Sequence, residues 1–158
     1  MARRSADRQS EVVDAILGAS HLLQSVAART LAEVDAEVTV AQFRVLVVLA
    51  STGPQRVADL ASALDAEPST ATRLCDRLAR KKLVRRQRLS TDRRTVQVIL
   101  GDPGRKLVDQ VAERRKAELS RLLRRVPTTA QEQIIEILGG FVASTGEEPA
   151  TTALGWAP

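Results

Sequence analysis

Apolar residues in the first part of the chain return every three or four positions: Val12, Val13, Ile16, Leu17, Leu23, Val26 and Ala27 fit one helical repeat. Between about residues 6 and 33 there is no proline and a single glycine, Gly18, so the pattern predicts one long helix. Thr39 can cap the next helix, whose apolar residues Val40, Phe43, Leu46, Val47, Leu49 and Ala50 fill more than one face before Gly53-Pro54 ends it. A helix apolar on several sides belongs inside a core. A short helix over Arg56 to Leu64 follows, with Val57, Leu60, Ala61 and Leu64 at i, i+3, i+4 and i+7, and Asp65-Ala66-Glu67 is a tight connection. Pro68 opens another helix where its missing N–H is harmless. Ala71, Leu74, Cys75 and Leu78 make its inward stripe; Ser69, Thr70, Thr72, Arg73, Asp76, Arg77 and Arg80 face outward. Two short helices joined by about three residues, the second polar and basic outside, form a helix-turn-helix arrangement.

Beyond Lys82 the period changes. Leu83 to Leu89 and Thr95 to Leu100 read as two strands, and Ser90-Thr91-Asp92-Arg93 supplies the turn of a β-hairpin. Asp102 is placed to cap a further helix, with Pro103 at its first position, running to about Arg125 with Val108, Val111, Leu119 and Leu122 in its repeat. After Pro127, Thr128 opens a last helix bearing Ile134, Ile135, Ile137, Leu138, Phe141 and Val142. The fold class is therefore mainly α (α+β). The division expected is an N-terminal helix (1–38), a helix-turn-helix and hairpin unit (39–101), two C-terminal helices (102–146) and a flexible tail (147–158). The first and last two helices bring more apolar surface than one subunit can cover, which points to a homodimer.

Charge sharpens this picture. Arg73 to Arg94 holds ten basic and two acidic residues, a local +8 in a chain whose total is +5, so everything else sums to −3. Positive potential gathered in one segment is what a polyanion surface needs, and nucleic acid is the obvious polyanion. The single Cys75 cannot form an intrachain disulfide, the N-terminus lacks a signal-like apolar core, and the longest apolar run, Val45 to Ala50, is far short of the roughly 20 residues of a membrane span. The expected location is cytoplasmic, without membrane contact. One His, one Cys and no metal, nucleophile or nucleotide motif argue against an enzyme, a metal or any cofactor.

Residues from Thr39 to Arg105 resemble the MarR family of bacterial transcriptional regulators. The likeness is carried by Gln42-Phe43-Arg44-Val45-Leu46, Leu60-Ala61 with Leu64, Pro68-Ser69, Thr72-Arg73-Leu74 and Asp76-Arg77-Leu78. It continues through Leu83-Val84 and Asp92-Arg93-Arg94 to Leu100 and Gly104-Arg105. The resemblance implies a winged helix-turn-helix with a two-stranded wing, in a homodimer whose terminal helices interlock, binding a pseudo-palindromic operator and usually repressing nearby genes. Ser69, Thr70, Thr72 and Arg73 then lie in the first turns of the recognition helix, with Arg73 the candidate for a bidentate contact to guanine. Arg77, Arg80, Lys81 and Arg86 are candidate phosphate neutralisers. In the family's wing an Asp-x-Arg pair matches Asp92 and Arg94, beside Arg93: the arginine enters the minor groove while the carboxylate fixes its guanidinium. Relatives also accommodate a small-molecule effector between the dimer helices and the winged lobe, not far from His21, which is itself expected to be a surface or dimer-contact residue. With Phe43, Phe141 and Trp156 the only aromatics, such a pocket should be aliphatic. Cys75 is expected to pack as a small inert apolar group. Competing readings are a nonspecific architectural DNA-binding protein, and an enzyme or small-molecule-binding protein with an incidental basic face.

Overall fold

Six helices and three short strands make up the described residues of the computed structural model, 2–88 and 96–145. In chain order they are α1 (Ala2–Val34), α2 (Val40–Thr52), β1 (Gln55–Arg56), α3 (Val57–Ala63), α4 (Pro68–Arg80), β2 (Val84–Arg88), β3 (Val96–Leu100), α5 (Asp102–Leu123) and α6 (Thr128–Thr145). Every predicted helix is present. α1 starts ahead of the expected Ala6, and α5 stops short of Arg125.

Helix α2 runs through the middle of the core. Phe43, Val45 and Leu46 are fully buried, and Val47, Val48 and Leu49 nearly so. Its start is fixed by a reciprocal cap: the Gln42 amide donates to Thr39 Oγ1 at 3.3 Å, while the Thr39 amide donates to Gln42 Oε1 at 3.0 Å. Gly53, at φ 78°, ends it in the left-handed region that a side chain disfavours. Around α2 pack Leu31 of α1, Leu60 of α3, Cys75 and Leu78 of α4, Val84 and Val98 of the hairpin, and Leu107, Val108 and Val111 of α5.

The passage from α4 into the hairpin is a Schellman turn: Lys82 N donates to Ala79 O at 2.9 Å and Leu83 N to Leu78 O at 3.0 Å. Lys82 takes the left-handed position at φ 61°, where glycine is the commoner choice. Leu83, buried, anchors the exit. Strands β2 and β3 then pair antiparallel from Val84 opposite Leu100 to Arg88 opposite Val96. A third strand joins them: β1 pairs with β3, Gln55 opposite Val98 and Arg56 opposite Gln97, giving the order β1-β3-β2.

One expected cap is corrected. Gly101, not Asp102, is the N-cap of α5, because its amide donates to Leu83 O at 2.9 Å and holds it extended, which places Asp102 within the first turn. The carboxylate still meets the positive end of the helix there. Gly104 lies so close to the Leu83 carbonyl that a Cβ would collide with that oxygen, so the start of α5 and the root of the hairpin approach backbone to backbone.

Two helical surfaces remain outside this core. On α1, Val12, Val13, Leu17 and Leu22 are about half exposed; on α6, Ile135, Ile137, Leu138 and Phe141 are half to three-quarters exposed. No helix among the described residues is long and apolar enough to cross a membrane.

Candidate nucleic-acid interface

Helix α4 owes its position to its apolar stripe: Ala71, Cys75 and Leu78 are fully buried, with Leu74 half-buried beside them. Burying that stripe turns the opposite side outward. Pro68 stands in the first turn, and Ser69, Thr72, Arg73, Arg77 and Arg80 are exposed, with Thr70 half-buried. Arg73 Nη2 donates to Thr70 Oγ1 at 3.2 Å, and the Thr72 hydroxyl donates back to Pro68 O at 2.9 Å. These local bonds hold the guanidinium and the hydroxyls along the first two turns. The result is a polar face from Ser69 to Arg73 continuing into a cationic one from Arg77 to Lys81.

The root of the hairpin is tied to this face. Arg86 Nη2 of β2 meets Asp76 Oδ1 of α4 at 2.7 Å, both side chains roughly half exposed. Arg86 therefore neutralises the one acid on the outward side of α4 and braces strand against helix, a role sequence reasoning did not find. Arg85 and Arg88 are exposed on the same strand. Asp92, Arg93 and Arg94 lie outside the described residues, in the segment between Arg88 and Val96. The structure thus brings Ser69, Thr70, Thr72, Arg73, Arg77 and Arg86 onto one helix and the strand braced to it.

Cys75 lies beneath this face rather than on it: it is fully buried, and burial pushes its thiol pKa above the ordinary range. His21 is exposed on α1. An open groove of about 670 Å³ runs between α1 and α5, lined mostly by charged side chains. Its carboxylates already have partners: Glu33 meets Arg114 at 2.9 Å, and Glu118 meets Arg121 at 2.7 Å and Arg29 at 3.4 Å. The hydrogen bond from Arg121 holds the Glu118 carboxyl below the usual carboxylate range.

Comparison with known proteins bears on family and fold from three directions. A sequence model of the MarR family matches residues 38–96. The HTH-type transcriptional repressor MdtR of Bacillus subtilis is 32% identical over 121 residues, spanning 76% of this chain and 77% of the relative. Among solved structures, RV1404 from Mycobacterium tuberculosis superposes with a TM-score of 0.80 at 35% identity, covering 89% of this chain and 96% of that one. A mutant of MepR from Staphylococcus aureus, solved bound to an oligodeoxyribonucleotide, shares the fold at a TM-score of 0.65 and 24% identity, covering 87% of this chain and 97% of its own.

Proposed function

The chain belongs to the MarR family of transcriptional regulators, and on that premise we propose that it is a cytoplasmic, sequence-specific repressor that binds a pseudo-palindromic operator as a homodimer. The observation that carries this reading is the outward face of α4, where hydroxyls and Arg73 precede a run of cations and the hairpin is braced alongside. A helix of that kind reads base edges through its first turns, and its cations neutralise phosphates. In this reading residues 39–101 are the DNA-binding unit, Asp92, Arg93 and Arg94 tip the wing, and residues 1–38 and 102–146 build the dimer through the uncovered faces of α1 and α6. The two recognition helices then sit about 34 to 36 Å apart, one duplex turn. A small-molecule effector that binds better to a state of different spacing releases the operator.

Footprinting upstream of the protein's own gene tests the proposal, with random DNA as competitor. The expected result is a protected pseudo-palindrome preferred over random sequence by at least about 10³-fold. Equal competition by random DNA would instead mark a nonspecific architectural protein.

A further inference from the structure

A cavity of about 340 Å³ opens between the start of α2 and the last turn of α4, lined by Glu37, Thr39, Gln42, Arg77, Arg80 and Lys81. We propose that this cavity seats one phosphate of the DNA backbone, with the Gln42 side-chain amide as its neutral donor. The inference rests on the DNA-binding reading above and adds residues of α2 to it.

Gln42 is only 3% exposed, which is unusual for its type. Its Oε1 is occupied by the Thr39 amide, which leaves the NH2 group turned the other way. That group donates to no acceptor among the described residues. No sealed side-chain nitrogen or oxygen among them lacks a partner, so Nε2 reaches open space, and Gln42 lines this cavity. Around it stand three cations and one carboxylate, Glu37. That carboxylate is 85% exposed and 3.3 Å from Lys81 Nζ, while the Glu37 carbonyl oxygen accepts from the same ammonium at 2.7 Å and fixes it at the rim. Helix α2 also turns the positive end of its dipole toward this space. Two guanidiniums, an ammonium, a neutral amide and a helix start are donors suited to a phosphate with several acceptor oxygens.

Position supports the same occupant. Arg77 and Arg80 leave α4 on the outward side that also carries Ser69 and Arg73. Arg73 to Arg80 spans about 10 Å along a helix axis, close to the roughly 12 Å width of the major groove. With the first turns at the bases, the cavity falls over the sugar-phosphate wall.

The test is Gln42→Glu. Glutamate is itself a common partner in this type of cap, so the acceptor for the Thr39 amide survives while the donor becomes an anion. Binding to the footprinted operator and to a random duplex is measured by fluorescence anisotropy over a range of salt, with thermal melting as a check of folding; Arg80→Gln serves as a second variant. Both affinities are expected to fall at least about tenfold, the loss of a hydrogen bond to a charged group. Their ratio stays unchanged because phosphate contacts position rather than specify. The logarithmic salt slope becomes shallower by about 0.9, one phosphate's worth. A single uncharged methylphosphonate scanned along the operator should locate one linkage per half-site that weakens the wild type and not the Gln42→Glu variant. Folded variants with wild-type affinity and slope would overturn the seat while leaving DNA binding intact. A wild type that binds no duplex at low salt would overturn the underlying reading as well.

Discussion

The lobe built from α2 to β3 and the outer faces of α1 and α6 treat their apolar residues in opposite ways. In the lobe, Phe43, Leu46, Leu60, Leu78 and Val98 are wholly buried within one chain. On α6, Ile135 is 74% and Ile137 67% exposed, and Val12 and Leu17 of α1 are open by half or more. A residue of α2 gains its burial free energy when the chain folds. A residue of α6 gains it only when something covers the helix, and in the proposed dimer that something is a second copy. In that reading folding and assembly draw on different faces of the chain, and assembly can be broken while the lobe stays folded.

The largest effect is expected from Phe43→Ala. Emptying the centre of the lobe should cost about 3–5 kcal/mol, a large part of the roughly 5–15 kcal/mol available to such a domain, read as a shift in the denaturant midpoint. Ile137→Glu leaves the core packing of the single chain intact, since its site is open there, yet it places a charge in the proposed interface. Sedimentation should show monomers, and operator affinity should fall about 10²-fold or more, because two half-sites are no longer held by one linked pair of lobes. Dimers that survive Ile137→Glu would show that α6 faces something other than its own copy.

A smaller effect separates strut from phosphate contact inside the lobe. Removing an acid near DNA would by itself strengthen binding to any sequence. Breaking the Asp76–Arg86 brace should instead lower preference for the operator over random DNA. Asp76→Asn is expected to reduce that ratio about threefold to tenfold, while leaving stability within about 1 kcal/mol, as is usual for a half-exposed pair. Exchanging the two residues should restore part of the ratio. An undiminished ratio in Asp76→Asn would reduce Arg86 to one more surface cation.

Most of the lobe was legible because each element carries its own signal: the multi-sided apolar pattern of α2, the stop at Gly53, Pro68 at the head of α4, and the switch to alternation after Lys82. Elements defined only by distant contacts were not. Strand β1 is two residues long, too short to show a period, and exists because Val98 and Gln97 lie opposite it. Gly101 displaces Asp102 as cap through a bond to Leu83 that local sequence does not reveal. The same limit applies to the candidate interface. The outward face of α4 could be read from helical spacing, and Thr39 with Gln42 three residues later is a visible capping signature. The Asp76–Arg86 pair and the cavity at Gln42 arise only when β2 and α2 come to lie beside α4.

The gentlest probe of the contrast between the two regions is a thiol. Cys75 is fully buried and its pKa is raised by desolvation, so at pH 8 it is the neutral thiol, and sealed. The sign follows for stability: as pH climbs past the ordinary thiol value of about 8.5, the unfolded chain ionises first. The folded state therefore loses stability toward alkaline pH, and Cys75→Ala should lose less over that range. In native protein at pH 8, Cys75 should resist iodoacetamide at every protein concentration, because its cover belongs to its own chain. In a Cys75→Ala background, Leu17→Cys places a thiol on the open face of α1. That thiol should be shielded in concentrated protein and should label progressively faster on dilution, because its cover is a second chain lost by mass action. Labelling of Leu17→Cys that ignores concentration would mean that α1 is not covered by a partner, and the difference between the two kinds of burial would disappear.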